Sequence, residues 1–98
     1  MHLKWTDLAG ADLDKIEAYI ARESSPGVAI DVVLKVVDTA CSILPEHPGA
    51  GRLGRLKGTR ELVINGLPFI VIYRQVHSLN QLQILRVLHS AQQWPTAD

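Results

Sequence analysis

"LPFIVIYRQVHSLNQLQILRVLH", residues 67–89, holds two apolar runs joined by "HSLN". Each run is short and rich in β-branched and aromatic residues, which reads as two strands and a turn. Just upstream, "TRELVING" ends in Asn65-Gly66, a strong turn signal, and supplies a strand before them. The three form an antiparallel meander. A half-buried strand alternates apolar and polar residues. Here "FIVIY" is apolar at five successive positions, and Ile84, Leu85, Val87 and Leu88 also supply both faces. The sheet therefore needs cover front and back.

The N-terminal half offers cover for one face. His2 to Trp5 can form a short strand. Thr6 provides a hydroxyl N-cap, with Asp7 in the first turn where the helix dipole favours an acid. Ala9, Leu13, Ile16 and Ile20 then step by four, three and four along one helical face, and Asp12, Asp14 and Glu17 fall largely outside it. Ser25 and Pro26 restart the chain as N-cap and N1 of a second helix. Val32, Val33, Val36, Val37, Ala40, Cys41 and Leu44 recur on it at helical spacing, so Cys41 reads as a small core residue. The link "SSPG" is short enough for a helical hairpin. The expected order is β-α-α-β-β-β, an α+β fold with a helical hairpin on one face of a largely antiparallel sheet. The other face would be covered by the tail with Trp94, a second copy or a different protein, and a partner is the preferred reading.

The bulk figures bound the class. Ninety-eight residues make a single domain, 1–98, and 47% hydrophobic with 20% charged residues is ordinary for a globular protein. One cysteine excludes an internal disulfide framework and suits a reducing cytoplasm. "MHLKWTDLAGADLDK" has no signal-peptide core, and no apolar run approaches the roughly 20 residues of a membrane span. The four histidines lack metal-ligand spacing, and no phosphate-cradling GxxxxGK[ST] occurs. No cofactor and no metal are expected.

A formal charge of zero hides an asymmetry. Residues 1–50 carry four cations and eight acids, a net of −4, while residues 51–98 carry six cations and two acids, a net of +4. Four of the cations, Arg52, Arg55, Lys57 and Arg60, fall in "GRLGRLKGTREL", residues 51–62, which begins in a proline- and glycine-rich loop. Arg74 and Arg86 add charge from the strands beyond. Such a stretch is either a cationic edge for an acidic partner or a solvated loop whose arginines pair with Glu46, Asp38 and other helix acids. Arg60 and Arg86 sit among apolar neighbours and need a partner if buried.

"GRLGRLKGTRELVINGLPFIVIYR" followed by "LQILRVLHSAQQWP" resembles the RelE/ParE superfamily, the toxin halves of bacterial type II toxin–antitoxin modules. The resemblance covers nearly the whole chain, and "GTREL", "PFIVIYR" and "ILRVLH" are its most specific pieces. It implies a βααβββ fold and a cognate antitoxin that wraps the toxin in a hetero-oligomer. That antitoxin is expected to be partly disordered, and acidic where it crosses residues 52–60.

Two branches of the superfamily imply two targets. RelE-like members cleave mRNA in the ribosome, and ParE-like members poison DNA gyrase. RelE- and YoeB-type toxins carry an arginine three residues before a tyrosine on the middle meander strand. Matching Tyr73 to that tyrosine places Ile70 at the arginine's position, and an isoleucine cannot stabilise an oxyanion. His89, Arg86, Arg60 and Glu61 are the remaining nuclease candidates, with His89 near the C-terminal histidine of YoeB-type toxins. Arg60 and Glu61 are strand neighbours and point to opposite faces. The ParE-like branch, inhibiting gyrase by binding and without catalysis, is therefore favoured. Arg52, Arg55, Lys57, Arg60, Arg74, Arg86, His89 and Trp94 are its expected contact residues for target or antitoxin. A ribosome-dependent mRNA endonuclease and a degenerate, non-toxic antitoxin-binding member are the alternatives.

Overall fold

The computed structural model describes residues 1–95. Its elements are β1 (His2–Trp5), α1 (Asp7–Glu23), α2 (Pro26–Ile43), β2 (Arg52–Leu53), β3 (Arg60–Val63), β4 (Phe69–Val76), a 3₁₀ turn (His77–Leu79) and β5 (Gln81–His89). The expected α+β order holds, with one correction. The loop after α2 contains a two-residue edge strand, β2, which pairs antiparallel with β3. The sheet order is β1-β5-β4-β3-β2, antiparallel throughout except that β1 runs parallel to β5.

Both helices begin as their caps dictate. The Thr6 hydroxyl accepts from the Ala9 N–H, and the Ser25 hydroxyl accepts from the Val28 N–H, with Pro26 opening α2. The hairpin packs on one face of the sheet. Ala9, Val36, Ala40 and Leu44 meet Leu62, Ile64, Phe69, Val71, Tyr73, Leu82, Ile84 and Val87 in the main core.

Two helix assignments are corrected. Cys41 is exposed, because the apolar stripe of α2 is wider than the face it buries; Ile30 and Leu34 lie exposed on the same flank. Asp12 is buried, 6% exposed, although it was expected outside the α1 stripe.

The burial of Asp12 follows from a strand that stops early. β1 pairs with β5 only as far as Trp5–Ile84, which leaves the outer edge of β5 open beyond that point. The chain closes it with side chains. Thr6 Oγ1 donates to the Ile84 carbonyl at 2.7 Å, and the Asp12 carboxylate accepts from the Val87 N–H at 2.9 Å. A register shift against β4 leaves Leu85 unmatched between Ile84 and Arg86, and the bulge re-aims Arg86.

The second face of the sheet is not left for a partner. Ile70, Ile72 and Leu88 are 4, 1 and 4% exposed, packed by Leu85 and Trp94 of the same chain. This corrects the preference for foreign cover. Residues 96–98, the end of the tail, lie outside the described residues.

Candidate functional site

The cationic stretch 51–62 surrounds a buried carboxylate. Glu61, only 2% exposed, points to the second face, opposite Arg60. Its Oε1 accepts from Arg52 Nη2 at 3.0 Å and Nε at 3.2 Å, while Oε2 accepts from the Arg55 backbone N–H at 3.2 Å. Arg55 Nε adds an ion pair at 3.6 Å. The expected pairing with Glu46 and Asp38 does not form; Glu61 of β3 takes that role. A buried carboxylate needs such partners, since an unpaired one is strongly unfavourable.

Trp94 lies over this cluster and the apolar strip. Its carbonyl accepts from Arg55 Nη1 at 3.4 Å, and the Arg86 guanidinium sits 5.7 Å from its ring centroid, a cation–π arrangement. Arg86 is itself held by Asp12. Those hydrogen bonds raise the Arg86 pKa above its already high ordinary value, against the opposing effect of burial. Arg86 therefore finds its partner inside the chain.

The glycines of the stretch are explained by close approach. A Cβ on Gly51 would stand 2.8 Å from the Tyr73 hydroxyl, and a Cβ on Gly54 would collide with the Thr59 side chain. The Tyr73 hydroxyl accepts from the Gly51 N–H at 2.9 Å and donates to the Pro48 carbonyl at 2.7 Å, pinning the loop to β4. Burial raises the Tyr73 pKa, with the Gly51 hydrogen bond and the charge of Arg60 opposing.

The four nuclease candidates do not assemble. Arg60 donates to the Gly51 carbonyl at 2.8 Å on the helix side of β3, away from Glu61. Glu61 is engaged by arginines and Arg86 by Asp12. His89 is exposed, packs edge-on against Phe69 with centroids 5.8 Å apart, and its Nδ1 accepts from the Ala91 N–H. Ile70, at the position implied for a catalytic arginine, is buried in the apolar strip. Among the described residues no three His, Cys, Asp or Glu side chains gather as a metal site. No helix of the described residues is long and apolar enough to cross a membrane.

Two larger openings stand among the described residues. A groove of about 580 Å³ runs along the open edge of β5, with Ile16, Tyr19 and Ile20 of α1 on one wall and Phe69 and His89 on the other. Asp12, Lys15 and Arg86 supply its charges. A cavity of about 330 Å³ where β3 starts and β4 ends is lined by residues that include Arg60, Tyr73, Arg74 and His77. Of the groove residues, sequence reasoning singled out Arg86 and His89 as contacts and missed Asp12, Tyr19 and Phe69. The available signal for Asp12 was its spacing of three from Ala9 and four from Ile16, which puts a carboxylate beside the apolar stripe.

Comparison with known proteins agrees with this architecture. The chain is 43% identical over 93 residues to "Putative toxin Y4kP" of Sinorhizobium fredii, covering 95% of this chain and 92% of that protein. A structure described as the chromosomal ParDE TA system from P. aeruginosa is similar with a TM-score of 0.84 and 33% identity, over 91% of this chain and 95% of that one. The isolated E. coli RelE toxin shares the fold at a TM-score of 0.56 and 13% identity, over 95% of this chain and 87% of that one. A sequence profile described as the ParE toxin of the type II toxin-antitoxin system, parDE, matches residues 3–94. With that span and these relatives, the chain belongs to the ParE toxin family of type II toxin–antitoxin systems.

Proposed function

We propose that this toxin inhibits DNA gyrase in the cytoplasm by binding it, without catalysis, and is neutralised by a cognate antitoxin. The observation that carries the reading is the state of the second sheet face. Cleavage through the 2′-hydroxyl of RNA needs a group that takes the proton, one that stabilises the phosphate charge and one that protonates the leaving oxygen. That face instead holds Ile70, Ile72, Leu88 and Trp94, and its carboxylate is tied to two arginines. A binding toxin needs only a shaped and charged surface. The similarity to the P. aeruginosa ParDE system supports an antitoxin partner.

The groove along β5 suits that antitoxin. Its walls are apolar, and one side is the helical face of α1, so an amphipathic helix can lie in it with its apolar side down. Tyr19, more than half exposed on the wall, is the contact to test. Purified toxin is expected to block supercoiling by gyrase, and stoichiometric antitoxin to restore it. Tyr19→Glu should weaken the rescue while leaving inhibition intact. Full supercoiling in the presence of excess free toxin would reject the reading.

A further inference from the structure

The helical hairpin keeps an apolar stripe that the sheet does not cover. On α2, Ile30, Leu34, Val37 and Cys41 step by four, three and four, so they share one face. Ile30 and Leu34 are 50 and 51% exposed, Cys41 is exposed and Val37 is half-buried. The residues that α2 buries, Ala29, Val36 and Ala40, fall on a different face. At roughly 1.5 Å per residue the stripe runs about 17 Å, the length of three helical turns.

Acids border the stripe on both sides. Asp31 and Asp38 each follow a stripe residue by one position and line its solvent flank. On the other side stands α1. Gly10, Leu13, Glu17 and Ala21 share the flank of α1 opposite to the one carrying Lys15 and Tyr19, which line the β5 groove. Gly10, Leu13 and Ala21 are half-buried, so that flank lies against α2. Glu17, exposed on it, and Asp14 beside it therefore stand next to the stripe. None of these four acids forms an ion pair with a described residue; of the eight acids in residues 1–50 only Asp12 does. The nearby cations are drawn elsewhere. Arg22 lies over the Tyr19 ring, 5.8 Å from its centroid. The Lys35 ammonium reaches the turn after β3, where a Cβ on Gly66 would stand 3.2 Å from it.

We propose that this outer face of the hairpin docks an amphipathic helix of another protein. The helix lays its apolar side on Ile30, Leu34, Val37 and Cys41, and its flanks carry Lys or Arg. Charge selects that occupant. A second copy of this chain would bring acidic rims against acidic rims, and like charges at close range destabilise a helix pair. An anionic membrane surface is disfavoured for the same reason. A helix with basic flanks meets all four acids at once, while Ile30 and Leu34 supply the apolar burial. The face points away from the sheet and is separate from the β5 groove. The proposal goes beyond the gyrase reading and does not depend on it.

The test is fluorescence anisotropy of two labelled helical peptides with the full chain. Both carry Leu at alternating three- and four-residue spacing; one has Lys on its flanks and the other Glu. The Lys peptide should bind at least about tenfold more tightly than the Glu peptide. Leu34→Gln should weaken its binding about tenfold, through the loss of one apolar contact. Asp31→Asn combined with Asp38→Asn should weaken it about fivefold at low salt and scarcely at high salt. Tyr19→Gln, in the β5 groove, should leave it unchanged. Ile30→Gln is a second variant on the stripe, and unchanged thermal unfolding verifies that both stripe variants fold. Equal binding of the two peptides, binding of neither, or a loss in Tyr19→Gln with none in Leu34→Gln and Ile30→Gln would overturn the proposal. So would a concentration-dependent dimer in sedimentation that Leu34→Gln dissolves.

Discussion

Asp12 and Arg86, 74 residues apart, join across the open edge of β5 through two parallel hydrogen bonds of 2.8 and 3.0 Å. The same carboxylate accepts the Val87 N–H, so one side chain substitutes for the strand that β1 fails to provide. Asp12→Ala strands a partly buried guanidinium and a backbone donor together. We expect a loss of about 2–4 kcal/mol in urea unfolding. Asp12→Asn, which can still accept from Val87, should lose less. Equal stability of wild type and Asp12→Ala would show that the edge is closed by other means.

Gly51 and Tyr73 are in contact where a side chain has no room. Gly51→Ala should destabilise the fold by about 1–3 kcal/mol through overpacking against the tyrosine ring and the Glu61 carbonyl. Gly49→Ala, with nothing within 4 Å of the new Cβ, is the control and should change stability little. Denaturant midpoints of the two variants make the comparison.

Tyr73 also sets an alkaline limit. Burial raises its folded pKa above the ordinary 10.0. The unfolded tyrosine therefore gives up its proton first, and the stability conferred by neutral Tyr73 is complete below about pH 10. It is lost as pH rises from there through the folded value, at up to about 1.4 kcal/mol per pH unit. Tyr73→Phe should be less stable at neutral pH, having lost both hydroxyl bonds, and should lack this share of the alkaline decline. Unfolding free energies measured from pH 8 to pH 11 decide it.

Trp94 holds the second face shut. Trp94→Ala removes the indole from Ile70, Ile72 and Leu88 and from the Arg86 guanidinium. We expect a loss of about 2–3 kcal/mol, below the full-core range because Trp94 is only partly buried, together with binding of an apolar dye. An unchanged midpoint with no dye binding would mean that the strip is sealed without the tail.

The legible parts of the fold were those written in local chemistry. Thr6, Ser25 and Pro26 announced the helix starts, and Asn65-Gly66 with the two apolar runs announced the meander. What escaped depended on where elements stop relative to one another. The burial of Asp12 follows from β1 ending at Trp5, and the cavity beside Gln75 follows from β3 starting two residues short of the position opposite it. Neither can be read from one segment alone. Cys41 was misplaced because α2 carries more apolar surface than the sheet and α1 can cover. The double-faced greasiness of β4 and β5 was correctly read, but the sequence does not say that Leu85 and one indole, itself held by two arginines, suffice to cover it.

We propose that the face closed by Trp94 and its own ion pairs makes this toxin a binder and not a nuclease. Purified toxin should be assayed side by side on gyrase supercoiling and on mRNA in actively translating ribosomes, with wild type and His89→Ala in both. Gyrase inhibition by both proteins, with intact mRNA in either case, is expected. Codon-phased mRNA cleavage by the wild type that disappears in His89→Ala would contradict it.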